Sequence, residues 1–413
     1  MAKADEQRQA LLATTIEVAA QRGLGEFSLR HLATAAGAST TLIFQNFNGK
    51  ADLLVNAVRL AAARDRVFHE GLLAKAVGLL NTHISFADFL AHYVMLRPSS
   101  ADARFLSEML VALDDYPECH EQIKEWISFR TGFWTAVLGR LDAREGLADV
   151  VAHFVMMEEF YAYALHGEIV YGLLLSETCR AVCEADFHGG ASVAAQSGIS
   201  LALGTEPLSL RETESPEEAT VREQLLAEAL RIIEHSGLEA LNQRRIAKDA
   251  GVSASAITYH FKDMKSFRTR AVWRALVQDL PTQLDPEGPE SKNTQDISHW
   301  LEALAAMLEQ GSPTTPPGFY VGFSRLTAQA CLLSRSDDSL VPLISYLREL
   351  EGWGTYRVSR TVEPLAALIR REHAAAFGMW IKAQAILLRV GVAKAGARLE
   401  HLELAARHIF PER

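Results

Sequence analysis

The stretch SLRHLATAAGASTTLIFQNF, residues 28–47, occurs again as NQRRIAKDAGVSASAITYHF at residues 242–261. The two stretches align without a gap at a constant offset of 214 residues. Apolar residues match apolar residues, and Gly37 of the first stretch falls on Gly251 of the second. Self-similarity of this kind predicts one supersecondary unit that is used twice.

Each copy has the pattern of two short helices joined by a sharp turn. In the first copy, Leu29, Leu32 and Ala33 form an apolar stripe at helical spacing. Gly37 can adopt the positive φ angle of a tight helix exit, and Ser39 is a preferred N-cap for the next helix. The pattern predicts a helix-turn-helix, whose second helix lies in the major groove of DNA while the first crosses the backbone.

The net charge of the chain is −10, which is unusual for a protein that binds a polyanion, but this charge is unevenly distributed. Residues 28–62 hold three Lys or Arg and one Asp, a net charge of +2. Residues 242–276 hold eight Lys or Arg and two Asp, a net charge of +6, so the remainder carries −18. Positive charge is concentrated at the two repeated motifs, as phosphate contacts require.

The composition bounds the class of protein. With 413 residues, 49% of them hydrophobic, the chain has enough apolar material for more than one domain. Its four cysteines are too few and too scattered for a disulfide framework. The polar N-terminus lacks the apolar core of a signal peptide, and the longest apolar run, 160–175, is interrupted by His166 and Glu168. These features predict a cytoplasmic protein without a membrane-spanning segment.

Outside the two motifs the sequence predicts further helices and no strands. An amphipathic helix over about residues 6–22 precedes the first motif, and the helix that begins near residue 220 repeats it. Apolar helices are predicted at roughly 67–80, 86–96, 102–114, 117–141 and 147–175, and again at roughly 296–310, 319–334, 339–352, 354–370 and 373–410. The predicted fold class is therefore all-α.

The two halves resemble a known family. Each half combines an amphipathic helix that ends in Gly, an Ala-Gly turn followed by Ser, and a second motif helix that finishes as IFQNF or ITYHF. This pattern resembles the DNA-binding domain of TetR-type transcriptional regulators. Members of that family are ordinarily single units that dimerise, so the resemblance implies a tandem fusion of two units in one chain.

The resemblance also implies how the chain is divided. The acidic run GTEPLSLRETESPEEA, residues 204–219, contains two prolines and has the composition of a linker. The predicted domains are a first helix-turn-helix domain at 1–63, a first helical ligand-binding and dimerisation domain at 64–204, the linker at 205–219, a second helix-turn-helix domain at 220–280 and a second helical ligand-binding and dimerisation domain at 281–413.

The second helix of each motif exposes polar residues between its buried positions, and these are the predicted base contacts. Gln and Asn, present in the first copy, can form bidentate bonds with adenine, whereas the second copy has Tyr and His at the same positions. The two heads should therefore prefer different bases. The predicted DNA contacts are Ser28, Arg30, Ser39, Thr40, Thr41, Phe44, Gln45, Asn46 and Lys50 in the first half, and Asn242, Arg244, Arg245, Ser253, Ala254, Ser255, Thr258, Tyr259, His260, Lys262 and Lys265 in the second.

Several of these assignments follow from the resemblance alone. It implies that Ser28 and Asn242 cap helices whose backbone amides face DNA phosphates, and that Lys50 contacts a phosphate. The sequence departs from the family pattern where Phe44 replaces the usual Tyr and where Met264 occupies the position equivalent to Lys50. The more basic second motif is expected to supply most of the salt-dependent affinity for DNA.

The helical regions beyond the motifs are rich in aromatic residues, which are more often core than ligand contacts. The resemblance implies that some of them line a pocket for a small apolar or aromatic effector. Glu158, Glu159, His166 and Gln384 lie in otherwise apolar helices. They are polar contacts for such a ligand, partners of one another or residues of the helix-bundle interface. The candidate pocket residues are Trp126, Phe129, Phe133, Phe154, Met157, Tyr161, Phe323, Trp353, Phe377 and Trp380.

The sequence shows no enzymatic signature. Its fourteen histidines lack the HExxH spacing, and it contains no CxxC pair, Gly-rich phosphate loop or Gly-x-Ser-x-Gly elbow. We therefore expect no catalytic residue, no metal and no cofactor.

The combined hypothesis is a bacterial, nucleoid-associated transcriptional regulator, a ligand-responsive repressor whose two non-identical heads read a non-palindromic operator. The last long helices of each half, near 117–175 and 339–391, are expected to pack together as an intrachain pseudo-dimer. A homodimer of such chains is the alternative assembly. The rival function is a helical ligand- or partner-binding protein whose DNA-binding heads have degenerated, because the first head is only weakly basic.

Overall fold

The computed structural model describes residues 2–76, 78–80, 82–187, 198–199, 216–277, 296–311, 317–361, 369–391 and 398–410. Over these residues the regular structure is helical, apart from one isolated bridge between Leu80 and Ile84. The predicted all-α fold class is confirmed. The predicted linker lies outside the described residues as far as residue 215.

The helices follow one another in two series. The first half contains α1 (Ala2–Arg22), α2 (Leu29–Ala35), α3 (Thr40–Asn46), α4 (Lys50–Ala76), α5 (Phe86–Leu96), α6 (Ala101–Val111), α7 (His120–Leu138), α8 (Leu147–Leu165) and α9 (Ile169–Phe187). The second half contains α10 (Pro216–Ser236), α11 (Gln243–Asp249), α12 (Ser255–Phe261), α13 (Met264–Val277), α14 (Ile297–Met307), α15 (Phe319–Leu333), α16 (Val341–Glu349), α17 (Trp353–Thr361), α18 (Arg371–Arg389) and α19 (Arg398–Ile409).

The first four helices of each half form a small domain, which we call a head. In the first head, α1 packs against α2 and α4, and in the second, α10 packs against α11 and α13. The second helix of each motif is held by equivalent apolar residues, since Ile43 and Phe47 are buried in one head and Ile257 and Phe261 in the other. The repeated residues are therefore packed in the same way in both heads.

Three predicted helices differ in number or by many residues from the structure, and the helix predicted at 354–370 is described only as far as residue 361. The helix expected at 147–175 is two helices, α8 and α9, because the chain turns at His166 and Gly167. The one expected at 373–410 is likewise divided into α18 and α19. The helix expected at 67–80 is the second part of α4, which continues through residue 63 without a break.

The two halves meet through their last long helices. Helix α18 packs along α8 and α9, and α19 also packs against α9. Helix α16 of the second half adds contacts with both α8 and α9. The helices expected to pair therefore pack together within one chain.

Buried charges cross this interface. Arg348 of the second half donates to Glu158 Oε1 of the first half at 2.7 Å, and both side chains are at most 1% exposed. Thr178 and Tyr171, both buried, also donate to Glu158, at 3.2 and 3.3 Å. Because a buried carboxylate is costly unless it is fully hydrogen bonded, these contacts make the pairing of the two halves specific.

We predict that Arg348→Met lowers the free energy of unfolding by about 3–5 kcal/mol, because it leaves Glu158 buried without its cation. The double variant Arg348→Met with Glu158→Met should recover most of this loss, since an apolar pair fills the same space. Urea denaturation followed by circular dichroism measures the change. As a control, Arg231→Met removes the exposed pair with Glu228 and should have a much smaller effect. A double variant less stable than the single one would contradict this account.

Candidate nucleic-acid interface

The first helix-turn-helix is built by the predicted local signals. Ser28 caps α2, where its hydroxyl oxygen accepts from the His31 backbone amide at 3.2 Å. Gly37 has a φ angle of 58° in the turn between the two helices. Ser39 then caps α3 by accepting from the Leu42 amide at 3.2 Å.

The second helix-turn-helix follows the same plan with one change. Asn242 caps α11 by accepting from the Arg245 amide at 2.9 Å, and Gly251 has a φ angle of 70°. Helix α12 begins one residue later than its counterpart α3, at Ser255, and no side chain caps it. Instead, Gln243 Nε2 donates to the Ala254 carbonyl at 2.7 Å, which ties the start of α12 to α11.

An arginine that the sequence analysis did not identify closes each motif. Arg8 Nη1 donates to the Asn46 carbonyl at 2.5 Å, and Arg222 Nη1 donates to the His260 carbonyl at 2.8 Å. Each guanidinium also lies over a phenylalanine ring of its own head, Arg8 over Phe47 at 4.4 Å and Arg222 over Phe261 at 4.6 Å. The two arginines are separated by the same 214 residues as the motifs. The carbonyl groups in the last turn of a helix have no N–H donor within that helix. Each arginine supplies a donor to such a carbonyl at the end of α3 or α12, which we call the recognition helices.

The recognition helix α3 presents a polar surface with one aromatic residue. Thr40, Thr41 and Gln45 are exposed, and Phe44 is 59% exposed. Asn46 is half-buried, and its Nδ2 atom donates to the Leu42 carbonyl within the helix. Of the two predicted adenine readers, Gln45 is therefore the one whose side chain is exposed.

The recognition helix α12 presents different chemistry. Ser253, Ala254, Ser255 and Thr258 are exposed, and Tyr259 is the most exposed of its large side chains at 75%. His260 is half-buried, with its ring 4.9 Å from that of its neighbour Tyr259. The two recognition helices thus share a buried face and differ on the exposed one.

Some of the predicted basic contacts are exposed on the heads, and others contact residues of the chain itself. Arg30, Arg244 and Lys262 belong to the exposed group. Arg245 is half-buried and lies 3.8 Å from Asp249, within its own helix. Its charge is therefore partly compensated inside the second head.

Lys50 and Lys265 contact the helical body of the protein. Lys50 Nζ donates to Tyr116 Oη at 3.1 Å and lies 5.1 Å from the centre of that ring. Lys265 Nζ donates to Asp338 Oδ1 at 2.7 Å, and Arg268 forms an ion pair with the neighbouring Asp337. In each half, therefore, a lysine at the start of the fourth helix joins the head to its own body.

A second contact joins each head to its body. In the second half, Gln329 Oε1 accepts from the Leu238 amide at 3.3 Å. In the first half, the carboxyl group of Glu108 lies beside the backbone of Leu24, the residue that matches Leu238 in the repeat. The position of the joint is repeated, but its polar group is an acid in one half and a neutral amide in the other.

The heads also contact each other at this point. Arg335 of the second body pairs with Glu108 of the first body and lies 3.7 Å from Glu239 of the second head. Glu239 in turn packs its carboxyl group against Gly25 of the first head. A Cβ atom at Gly25 would lie 1.8 Å from Glu239 Oε2, so the approach depends on glycine. We call Glu108, Arg335 and Glu239 the inter-head cluster.

Three of the predicted pocket residues surround a buried ionic network in the first body. Phe129 and Phe133 place their rings 5.6 and 4.7 Å from the ring of His69, and Trp126 Nε1 donates to Asp65 Oδ2 at 2.7 Å. The network continues through ion pairs of Arg97 with Asp65 and Glu159, and of Arg130 with Glu159.

Electrostatics fixes the protonation of this network. Burial alone raises the pKa of Asp65, but the surrounding cations, Arg97 foremost, lower it to about 2, so the carboxylate is ionised. Burial lowers the pKa of His69 to about 3, so its imidazole is neutral at physiological pH. His69 then serves as a neutral link between the Asp65 carbonyl and the Tyr93 hydroxyl, at 2.6 and 2.8 Å.

The other predicted pocket residues lie at or near the contact between the halves. Tyr161 Oη donates to Glu351 Oε2 at 3.2 Å and receives a hydrogen bond from Lys382 at 3.1 Å. Lys382 Nζ also lies 4.7 Å from the centre of the Phe323 ring. Trp353 is half-buried under Arg371. The remaining four, Phe154, Met157, Phe377 and Trp380, are buried on α8 and α18.

One cleft of about 470 Å³ opens between α7, α8, α18 and α19. Of the ten aromatic and apolar pocket candidates, Trp380 lines it, together with Gln384, which the sequence analysis also singled out. Among the described residues, no group of three or more His, Cys, Asp or Glu is arranged to hold a metal ion.

Comparison with known families gives these two heads an identity. The family model of bacterial regulatory proteins of the tetR family matches residues 11–57 and, separately, residues 225–268. Each head therefore carries the DNA-binding domain of the TetR family, so this domain occurs twice in one chain, as in a tandem fusion. Its presence supports a DNA-binding transcriptional regulator. Regulators of the TetR family are generally not enzymes.

One further comparison and one structural finding concern the whole protein. A comparison with curated proteins found no match. Within the described residues, no helix is both long and apolar enough to cross a membrane.

We predict that Arg8→Met and Arg222→Met each weaken binding to the full operator by about tenfold, because a hydrogen bond at the end of a recognition helix is lost. Footprinting should show that Arg8→Met loosens protection over one half-site and Arg222→Met over the other. Arg22→Met, at the exposed end of α1, is the matched control and should bind as the unmodified chain does. Equal loss over both half-sites in each variant would contradict a head-specific role.

We also predict a pH effect at the inter-head cluster. Burial raises the pKa of Glu108 from 4.5 to about 7. A carboxyl group whose pKa is higher in the folded state binds its proton more tightly there, so its contribution to stability falls as pH rises from about 4.5 to 7. Glu108→Gln, which copies Gln329 of the second half, should remove this part of the dependence. Urea denaturation at pH 5 and pH 8 measures it, and identical pH dependence in both proteins would refute the assignment.

Proposed function

We propose that this chain is a ligand-responsive repressor that uses two non-identical heads to read a non-palindromic operator. One observation carries the proposal: the caps of α2 and α11, the glycine turns and the closing arginines are repeated, whereas the exposed residues of α3 and α12 are not. Two heads with the same helix-turn-helix plan but different exposed residues support docking of both heads in the major groove, where each reads different bases.

The exposed side chains support specific preferences. In the first head, Gln45 can form two hydrogen bonds with adenine, and the methyl groups of Thr40 and Thr41 can contact the methyl group of thymine. In the second head, Tyr259 offers a hydroxyl and a ring edge, and Ser255 a hydroxyl. These sets do not favour the same half-site.

The contacts between the halves support an intrachain pseudo-dimer. A family dimer places two identical surfaces together, but here Glu158 of one half meets Arg348 of the other, and Tyr161 meets Lys382. Complementary residues of this kind favour pairing between unlike halves. A homodimer of whole chains would have to use another surface and would carry four heads.

The joints between heads and bodies support the response to a ligand. Each head is attached by two polar contacts, and the inter-head cluster connects the two attachments. A ligand that binds the bodies better in one arrangement of the heads will favour that arrangement. Because the heads must reach successive major grooves about 34–36 Å apart, a small change in their separation weakens DNA binding.

The proposal also specifies where the protein acts and what it does not do. We expect it to act on the nucleoid in the bacterial cytoplasm and to use no cofactor. The rival function is a helical ligand- or partner-binding protein with degenerate heads. Exposure of Arg244, Lys248 and Lys262 on the second head favours the regulator, because exposed cations are what phosphate binding requires. Sequence-specific binding that weakens steeply with salt would exclude the rival.

We expect selection from a random duplex library with the full chain to yield a site whose two halves differ in sequence. The reason is the difference in exposed residues between α3 and α12. Replacing Thr40, Thr41, Gln45 and Asn46 with their second-head counterparts, Ala, Ser, Tyr and His, should convert the preferred site towards a palindrome. The reciprocal exchange in α12 is the matched control and should give the other palindrome. A perfectly palindromic site for the unmodified chain would refute the proposal.

A further inference from the structure

The cleft between the halves has the form of a small-molecule site. Its 470 Å³ volume lies in the range of pockets for small ligands. Val150, Trp380 and Leu387 are buried and form an apolar floor, whereas Lys124 and Ser128 are exposed and lie at its mouth. One side comes from the first half and the other from the second, so an occupant would contact both.

The floor carries a hydrogen-bond acceptor. His153 Nδ1 lies 2.5 Å from the Asp149 carbonyl oxygen, which can only accept, so Nδ1 carries the ring proton. Burial lowers the pKa of His153, which keeps the imidazole neutral. Its Nε2 atom is therefore a lone-pair acceptor. That atom is buried and lacks a hydrogen bond of normal geometry within the described chain, although Gln384 lies near it.

A donor stands on the opposite side of the cleft. Gln384 Nε2, an amide nitrogen, donates to His401 Nδ1 at 3.0 Å. In the neutral ring the proton of His401 is therefore on Nε2, which can donate. Trp380 supplies an aromatic surface beside this pair, with its ring 5.8 Å from that of His153. The cleft thus combines one acceptor, one donor and a flat apolar wall.

We propose that this cleft binds a planar aromatic molecule that carries a hydroxyl group, as a phenol or a naphthol does, and that this molecule is the effector. A hydroxyl is the small group that both donates and accepts, so it satisfies His153 and His401 together. The ring packs against Trp380 and Leu387 in the apolar part. The site lies between unlike halves and takes its two histidines from different halves of the chain.

The cleft is connected to the first head through α7. This helix provides Lys124, Ile127, Ser128 and Thr131 to the cleft and begins just after Tyr116, the residue that holds Lys50. At the same end, His120 Nε2 donates to the Val390 carbonyl of the second half at 2.6 Å, near the end of α18. An occupant that separates α7 from α18 therefore shifts the joint at Tyr116. This regulatory step rests on the proposed function, whereas binding itself does not.

The test uses the full chain with 2-naphthol as the probe, and 2-methylnaphthalene as the matched probe without a hydroxyl. Isothermal titration calorimetry should show one 2-naphthol per chain, bound at least about tenfold more tightly than 2-methylnaphthalene. His153→Phe should remove this difference. Ser128→Trp should block the mouth and weaken both probes, whereas Glu125→Trp, exposed on the same helix outside the cleft, should weaken neither. Circular dichroism and thermal melting establish that each variant is folded.

Several outcomes overturn the proposal. Absence of 2-naphthol binding, equal binding of the two probes, or folded Ser128→Trp and His153→Phe variants that bind as the unmodified chain does would each refute the site. DNA binding is measured separately without probe, so its absence counts against the proposed function and not against the cleft. If the chain binds both 2-naphthol and its operator, but saturating 2-naphthol leaves the operator affinity unchanged, the effector role is refuted.

Discussion

The arrangement of this protein depends on burying a carboxylate between two halves of one chain. Glu158 of the first half is surrounded by Arg348 of the second half and by two hydroxyl donors from its own half. A carboxylate without exposure to water is tolerated only where its oxygens are paired. The pairing fixes α8 and α9 against α16, and the neighbouring α18 then completes the interface. The positions of both heads follow from that contact, because each head is attached to its own body.

The attachments differ between the halves although their positions repeat. The first head is held by Lys50 on Tyr116 and by Glu108, and the second by Lys265 on Asp338 and by Gln329. In a symmetric dimer both joints have the same strength by necessity. A tandem chain is free of that constraint, so the two heads can respond unequally to a ligand, to pH or to salt. The inter-head cluster adds a direct contact between them.

The positive charge of the second motif is also partly used within the protein. The second motif has the higher net charge in sequence, but Lys265, Arg268 and Arg245 are engaged with acidic residues of the chain. Part of the excess positive charge of the second motif therefore forms ion pairs that stabilise the protein itself. The cations that remain exposed, such as Arg244 and Lys262, are the ones available to phosphates.

The sequence by itself determined the repeated unit, the all-α class and most of the local geometry of the heads, but not the uncapped start of α12. Caps, glycine turns and apolar stripes act between residues a few positions apart, so Ser28, Ser39 and Gly37 have the roles that their spacing predicts. It also located the long helices near their true positions, although it missed the breaks after α8 and α18 because apolar residues at helical spacing resume beyond each break.

Only the tertiary structure decided which side chain meets which. A lysine at a helix start is equally suited to a phosphate or to a tyrosine, and Lys50 lies on Tyr116 because the body brings that ring 66 positions along the chain to it. The same holds for Arg8, whose acceptor is set by the approach of α1 to α3, and for the cleft beside Trp380, which exists only between two halves. Such contacts depend on the packing of helices distant in sequence, which residue spacing does not encode.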